Sequence, residues 1–321
     1  MREASTDADI ASTRCKGVNK TATASQVAVI GLGSMGGGMA RALLAAGFRV
    51  KGFDVNPTNL EAFAAAGGTV AASAALAVQD TPILVSVVVN AHQTENVLFG
   101  AEGCLAAMPE ESVVISSATM APEAARDLAR RVEATGRHYL DAPISGGATR
   151  AAEGALTILA AGSKRAFTMA GPAIDAMAAK VYELGDAAGT GAAFKMINQL
   201  LAGVHIAAAC EAISFAARQG LDLARVFEVI TGSAGNSWMF ENRIPHVLEG
   251  DYAPRSAIEI FTKDLGIIAD MGRSTQFPTP MAGAALQLFL MTAAAGMGKD
   301  DDASVARLFA RIAGIDLPGQ V

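Results

Sequence analysis

Three glycines near the beginning of the chain constrain its fold more than any other feature. Gly31, Gly33 and Gly36 have the spacing G-x-G-x-x-G within GLGSMG, directly after the apolar run QVAVI. The residues that follow, from Ser34 to Ala46, carry apolar side chains at helical spacing. A strand, a tight turn and a helix in this order predict the first half of a βαβ unit. In such a unit the helix N-terminus directs unpaired N–H groups at a bound phosphate.

A carboxylate lies where the second strand of this unit is expected to end. Asp54 closes the run RVKGFD, 23 positions after Gly31. A carboxylate there can accept hydrogen bonds from the ribose 2′-hydroxyl of a dinucleotide and repels a 2′-phosphate. The alternative is a solvated turn residue. The pattern favours NAD over NADP, with Asp54 and the turn as its binding residues: Gly31, Leu32, Gly33, Ser34, Met35 and Gly36.

The pattern of apolar residues in the sequence changes near Gly185. Before it, short β-branched runs alternate with alanine-rich stretches, which is typical of βαβ units on a parallel sheet. The predicted strands are QVAVIG, RVKGFD, ILVSVVV, SVVISS, RHYLDAP and LTILAAG. After Gly185 the pattern predicts only helices, at about 192–219, 222–231, 256–274, 279–295 and 303–313. The sequence therefore predicts an α/β Rossmann domain with a mainly parallel sheet, followed by an all-α C-terminal domain joined by a long interdomain helix.

The predicted domain boundaries follow these changes in pattern. Residues 1–25 are polar, carry both charge signs and lack the apolar core of a secretory signal, so they are expected to form a disordered extension. Residues 26–188 are expected to form the NAD-binding domain. Residues 189–321 are expected to form the all-α domain for substrate binding and dimerisation.

Composition excludes several classes of partner. The formal net charge of −6 and the absence of a lysine and arginine cluster argue against nucleic acid. No apolar stretch reaches the roughly 20 residues that a membrane span needs. The three cysteines cannot all pair and have no metal-ligand spacing, which favours a reduced compartment, the cytoplasm. The four histidines likewise show no ligand spacing, so no metal site is predicted.

Four motifs occur in the order shown by the β-hydroxyacid dehydrogenase family: GLGSMG, DAPISGG, GAAFKMINQ and FTKDLG. The chain resembles that family from about residue 26 to residue 315. The resemblance implies NAD-dependent oxidation of a small hydroxy acid bound in a cleft between the two domains. It also implies a homodimer or homotetramer.

The resemblance assigns the chemistry to one lysine. The family's catalytic lysine lies in a K-x-x-N-N pattern, which here reads Lys195, Met196, Ile197, Asn198, Gln199. Lys195 is then the general base that accepts the hydroxyl proton. Because free lysine titrates near ~10.4, its pKa must be lowered for base work near neutral pH. Residues three and four apart share a helix face, so Asn198 and Gln199 are expected to bind substrate beside Lys195. The alternative for an isolated lysine is a surface position.

Other site residues are implied by the same motifs. The resemblance assigns Ser145, Gly146 and Gly147 of DAPISGG to substrate binding, although a glycine-rich turn could simply close the sheet. It places three further residues near the cofactor: Asn90, Thr119 and Lys263. The alternatives are a polar strand end for Asn90 and a solvated ion pair for Lys263, since exposed pairs contribute only ~0–1 kcal/mol.

Two longer segments narrow the substrate. QLLAGVHIAAACEA and SAGNSWMFENRIPHVLEGDYAPRSA are most similar to family members that oxidise the C2 hydroxyl of L-threonate to a 2-oxo acid. Ser233 and Asn236 could bind the extra hydroxyls of a four-carbon sugar acid, or could form an ordinary turn and helix cap. Three alternatives stay open: a 3-hydroxyisobutyrate dehydrogenase, a 2-hydroxy-3-oxopropionate reductase, and a non-catalytic dinucleotide-binding scaffold.

Overall fold

The computed structural model describes residues 13–15 and 26–319. The chain divides into two compact units, Met1–Lys195 and Met196–Val321. The predicted N-terminal extension, residues 1–25, lies outside the described residues except for Thr13–Cys15, which form a short strand.

The first unit alternates strands with helices. Its strands are β1 (Thr13–Cys15), β2 (Gln26–Ile30), β3 (Arg49–Phe53), β4 (Thr69–Val70), β5 (Ile83–Ser86), β6 (Val113–Ser116), β7 (His138–Asp141), β8 (Ile144–Ser145), β9 (Leu156–Ala160) and β10 (Ala178–Glu183). Its helices are α1 (Ser34–Ala45), α2 (Pro57–Ala65), α3 (Ala74–Val78), α4 (Ala91–Phe99), α5 (Pro122–Glu133), α6 (Gly147–Ala152) and α7 (Lys164–Met177).

Six strands form a parallel sheet in the order β4-β3-β2-β5-β6-β7. From β2 the chain adds β3 and β4 on one side and β5, β6 and β7 on the other, as in the dinucleotide-binding Rossmann fold. Ligands are therefore expected at the carboxyl ends of β2 and β5, where the strand order changes direction. Both faces of the sheet are buried: Val27 and Val29 belong to one core cluster, Ala28 and Ile30 to another. Such burial explains why these strands are almost continuously apolar.

A second, smaller sheet has the order β1-β10-β9-β8. β9 and β10 pair in parallel, whereas β1 and β8 pair antiparallel to them. The predicted strand LTILAAG therefore exists as β9, but it belongs to this mixed sheet and not to the parallel one. The predicted alternation of strand and helix is confirmed, whereas the second sheet is not predicted from the sequence.

The second unit is helical apart from one isolated bridge within residues 196–319. The helices after α7 are α8 (Thr190–Arg218), which begins in the first unit, α9 (Leu223–Thr231), α10 (Trp238–Glu249), α11 (Ile258–Ser274), α12 (Pro280–Thr292) and α13 (Val305–Ala313). All the predicted helices are found. α10 was not foreseen, since Pro245 interrupts its helical pattern. The predicted fold, a Rossmann domain followed by an all-α part, is confirmed.

Two buried side-chain pairs fix α10 within the second unit. Arg243 Nε lies 2.6 Å from Asp302 Oδ1, and His246 Nδ1 lies 2.8 Å from Asp301 Oδ1. Burial raises the pKa of Asp302 to about 6, while the neighbouring Arg243 opposes that rise. The pairs join α10 to the turn before α13, so they fix the helix that begins at the end of the SAGNSW segment (residues 233–238).

Two helical segments are long and apolar enough to cross a membrane by length and composition: Thr190–Arg218 and Pro280–Met297. In the first, 50% of the apolar window is buried, and its residues Met196, Ile206 and Cys210 belong to the core of the second unit. The core helix of a globular protein passes the same test. In the second segment only 28% of the window is buried, so much of α12 presents apolar side chains at the surface.

Candidate functional site

Two glycines of the GLGSMG turn are required by its shape. Gly31 has φ +89°, and a Cβ there would lie 2.4 Å from the carbonyl oxygen of Val87. A Cβ on Gly36 would lie 1.8 Å from the carbonyl oxygen of Gly31. Gly33 differs, because a Cβ there would meet no atom within 4 Å beyond its own chain neighbours. Gly31 and Gly36 thus shape the turn, and Gly33 leaves open space in front of the N-terminus of α1.

Asp54 is tied directly to this turn. Its Oδ2 accepts a hydrogen bond from the backbone N–H of Leu32 at 2.5 Å, and its Oδ1 accepts one from the N–H of Asn56 at 2.7 Å. A carboxylate has about four acceptor positions, so each oxygen retains capacity for a ribose hydroxyl. The open space at Gly33, the helix N-terminus and this carboxylate together fit a dinucleotide such as NAD. The predicted residues Ser34 and Met35 lie in the first turn of α1.

The DAPISGG segment follows β7. Ser145 ends β8, and Gly146 and Gly147 have φ values of +139° and +81° at the start of α6. α6 packs closely on α1, since a Cβ on Gly38 would lie 2.8 Å from the Cβ of Ala151. The fold therefore brings the predicted substrate-binding turn and the cofactor turn onto two contacting helices of the same unit.

Two further predicted cofactor residues follow strands of the parallel sheet. Asn90 caps α4, with its Oδ1 accepting a hydrogen bond from the N–H of Gln93 at 2.9 Å. Thr119 lies half-buried between β6 and α5. Because β5 and β6 are neighbours, both residues lie at the carboxyl edge of the sheet, the expected cofactor edge.

Lys195 lies near the beginning of α8 and is 7% exposed. A lysine this deeply buried is uncommon unless it is paired or has a chemical role. Asn198 and Gln199 follow it by three and four residues on the same continuous helix. Their spacing is that of one helix face.

In the second unit, Gln199 joins α8 to α11. Its Nε2 donates to Asp264 Oδ2 at 2.5 Å, and its Oε1 accepts from Asn198 Nδ2 at 3.0 Å. Lys263 Nζ lies 2.5 Å from Asp264 Oδ1. Asp264 is fully buried, so this pair is not the solvated ion pair of the alternative interpretation. The sequence motif FTKDLG contains Asp264, but its bond to Gln199 spans 65 positions and no local pattern indicates it.

The polar groups of the SAGNSW segment mostly serve the connection between α9 and α10. Ser233 Oγ donates to the carbonyl of Val229 at 2.6 Å, and Ser237 caps α10 by accepting from the N–H of Phe240 at 3.0 Å. Asn236 Nδ2 donates to Thr231 O at 3.1 Å and to Glu241 Oε1 at 2.5 Å.

A cavity of about 420 Å³ lies beside this connection, within the second unit. Its lining includes His205 of α8, Asn236 and Phe240. Asn236 Oδ1 has no hydrogen-bond partner among the described residues. His205 follows Gln199 by six residues, about 9 Å of helix rise, so the cavity is separated along α8 from the Gln199–Asp264 pair.

Titratable groups elsewhere in the described part of the chain show no metal-binding arrangement. Within residues 13–15 and 26–319 no group of three or more His, Cys, Asp and Glu side chains could hold an ion. Burial raises the pKa of Cys104 to about 12, so this thiol stays protonated and unreactive.

Two family models together match nearly all of the chain beyond residue 25. Residues 26–185 match the NAD binding domain of 6-phosphogluconate dehydrogenase. Residues 189–309 match the model described as NAD-binding of NADP-dependent 3-hydroxyisobutyrate dehydrogenase.

Whole proteins match over similar lengths. An L-threonate dehydrogenase of Cupriavidus necator is 51% identical over 92% of this chain and 98% of its own length. An L-threonate dehydrogenase of Haemophilus influenzae is 45% identical over 91% and 96%. A crystal structure described as 3-hydroxyisobutyrate dehydrogenase from Salmonella typhimurium is 46% identical, with a TM-score of 0.85 over 88% of this chain and 99% of that one.

Proposed function

The chain belongs to the β-hydroxyacid dehydrogenase family, related to 3-hydroxyisobutyrate dehydrogenase, and on that premise we propose that it oxidises L-threonate at C2. It is an NAD-dependent oxidoreductase acting on a CH–OH group. The predictions of family, enzyme class and cofactor are therefore confirmed. The observation that best supports the substrate is the similarity to L-threonate dehydrogenases along almost the whole chain.

In the proposed mechanism Lys195 accepts the proton of the C2 hydroxyl while the C2–H bond breaks. Its burial and its place on α8 support this role, because a buried amine is held in one position and is readily kept neutral. Bound NAD supplies the acceptor for the hydride that leaves C2. The product is the 2-oxo acid, with the proton left on Lys195 and later released to water.

We assign cofactor binding to the turn residues Gly31 to Gly36 together with Asp54, whose contacts fit a dinucleotide. Asn90, Thr119 and Lys263 complete the proposed set of cofactor residues. Lys263 also compensates the buried charge of Asp264, which a buried carboxylate requires.

For substrate binding we propose the Ser145–Gly147 turn, Asn198 and Gln199. The hydrogen bonds of Gln199 to Asp264 and Asn198 fix the amide of Gln199. We propose that Gln199 thereby holds Asn198 in one orientation for substrate binding. Ser233 and Asn236 remain predicted substrate contacts. Within that segment, Asn236 Oδ1 is a buried acceptor that has no hydrogen-bond partner among the described residues, so it retains its capacity for a ligand hydroxyl.

We propose that the functional protein is a homodimer or homotetramer in the cytoplasm, with domain boundaries at residues 25 and 188. The second unit exposes large apolar side chains on α8 and on α12: Ile197, Leu201, Phe215, Met281, Leu290 and Met291. Several large exposed apolar side chains on two helices are typical of a surface that another protein covers. A second copy of the chain fits it, since symmetric self-association is the most common way to bury such a face.

A substrate panel tests the proposal. Purified protein with NAD is assayed by NADH absorbance against L-threonate, D-erythronate, D-glycerate and 3-hydroxyisobutyrate. We expect the highest kcat/KM for L-threonate, at least about tenfold above 3-hydroxyisobutyrate, because a methyl-bearing substrate would leave the buried Asn236 Oδ1 unpaired, and one unmet buried polar group costs roughly 1–3 kcal/mol. Higher kcat/KM for 3-hydroxyisobutyrate would refute the assignment and favour the first alternative. Cofactor binding without turnover of any acid would favour the scaffold.

A further inference from the structure

A carboxylate of the first unit binds the N-terminal turn of the helix that carries Lys195. Asp141 is the last residue of β7 and is 2% exposed. Its Oδ2 accepts hydrogen bonds from the backbone N–H groups of Gly189 at 2.8 Å and Ala192 at 2.9 Å. The first N–H groups of a helix have no partner within the helix, so Asp141 acts as a cap supplied from 48 and 51 positions away along the chain.

The same turn lies directly against the backbone of the small sheet. A Cβ on Gly191 would be 2.4 Å from the carbonyl oxygen of Leu159 and 3.2 Å from Asp141 Oδ2. Asp141 is itself held by two backbone hydrogen bonds to Ala161, at 3.0 and 2.8 Å. The carboxylate and the turn it caps therefore have little freedom to move.

Lys195 follows Ala192 by three residues, about 4.5 Å of helix rise. We propose that Asp141 is a positioning residue for the proton-transfer step: by capping the turn before Lys195 its carboxylate sets the place of that lysine, and its charge stabilises the ammonium group that forms when Lys195 accepts the proton. The inference rests on the proposed function of Lys195 as the base.

Other charged or titratable groups face Asp141 from neighbouring elements. Arg126 of α5 acts on it electrostatically, and burial raises the pKa of Tyr139, with the negative charge of Asp141 adding to that rise. Arg126 is also paired with Glu123 at 2.6 Å, which reduces its influence. Burial raises the pKa of Asp141 to about 6, so the carboxylate carries its charge above that pH. Its charge then offsets the positive end of the α8 dipole.

Two substitutions separate the geometric effect from the charge effect. Asp141→Asn keeps the size and one acceptor oxygen but removes the charge, whereas Asp141→Ala removes the cap. Ser163→Ala is the matched control, because it removes the side-chain cap of α7 in the same unit, where Ser163 Oγ accepts from the N–H of Ala166 at 3.2 Å.

The first measurement does not depend on the substrate. The protein is labelled competitively with acetic anhydride across a pH series. Peptide mass spectrometry compares the labelling of Lys195 with that of the exposed Lys164. The comparison gives the pH at which labelling of Lys195 is half-maximal. We expect this pH to be lower by about half a unit in Asp141→Asn, since the helix turn that precedes Lys195 then loses a negative charge. Ser163→Ala should leave it unchanged.

The second measurement is steady-state kinetics with the holoenzyme. Asp141→Ala should lower kcat by about 10²-fold, because small displacements of a reacting group have large effects, while the KM for NAD stays within about twofold. Asp141→Asn should retain more of kcat than Asp141→Ala. Its pH profile of kcat should be shifted to lower pH, in the same direction as the labelling of Lys195. Ser163→Ala should keep wild-type kcat.

Several outcomes would overturn the inference. One is a labelling pH for Lys195 that is the same in Asp141→Asn and in wild type. Another is a fall in kcat that the control variant reproduces. If Asp141→Ala does not fold, Asp141→Asn decides by both measurements. Failure of the proposed function is recognised separately, since the wild-type protein would then prefer 3-hydroxyisobutyrate or oxidise none of the acids, while the labelling comparison could still be made.

Discussion

Replacing Lys195 by alanine is expected to lower kcat for L-threonate oxidation by about 10³-fold, within the range that general acid–base groups contribute. The dissociation constant for NAD should stay within about twofold, because Lys195 lies on α8 whereas the cofactor turn lies between β2 and α1. Stopped-flow absorbance at the NADH band and calorimetric titration with NAD measure the two quantities.

The matched control is Lys164→Ala, which removes an exposed lysine at the first position of α7. It should keep wild-type turnover. A small primary amine added to Lys195→Ala should restore part of the lost rate if the missing group is a base. Retention of most of the turnover in Lys195→Ala, with NAD binding intact, would contradict the assigned role.

Gly33→Ala is expected to raise the dissociation constant for NAD by about 30-fold or more, equivalent to ~2 kcal/mol. The added methyl group would project into the open space in front of the α1 N-terminus, where a pyrophosphate must approach the backbone. The free energy of unfolding should fall by no more than about 1 kcal/mol, the cost of alanine at this helix N-cap, since Gly33 has a negative φ of −59° and its Cβ would meet no atom within 4 Å. Calorimetric titration and thermal unfolding separate the two effects.

Two other glycines serve as comparisons for this variant. Gly283→Ala adds a methyl group in α12, where it also meets no atom within 4 Å, and should leave NAD binding unchanged. Gly36→Ala should instead destabilise the fold, because its Cβ would overlap the carbonyl oxygen of Gly31. Wild-type NAD affinity in Gly33→Ala would show that the turn does not bind the pyrophosphate.

The local parts of this fold could be predicted from the sequence. The GLGSMG turn, β2, α1 and β3 are adjacent in the chain, and each has its own pattern of apolar residues and glycines. Asp54 was predicted as a cofactor residue from spacing alone, and its bond to the N–H of Leu32 joins it to the turn.

The remaining features depend on contacts between distant parts of the chain. Asp141 caps α8 across 48 residues, and Asp264 binds Gln199 across 65, distances over which one sequence carries no pattern. The assignment of β9 to the small sheet likewise depends on its pairing with β8 and β10. The SAGNSW segment shows the opposite limitation: its polar residues suggested ligand binding, but most of their groups bond within the segment and to adjacent helix ends.

The central claim is that hydride leaves C2 of a four-carbon hydroxy acid and is received by NAD. L-threonate carrying deuterium at C2, incubated with the wild-type protein and NAD, tests it most directly by mass spectrometry of both products. The account predicts one deuterium in the reduced cofactor and none at C2 of the resulting 2-oxo acid. Unlabelled NADH together with deuterium retained in the oxidised acid would contradict it, because oxidation would then have occurred at another carbon.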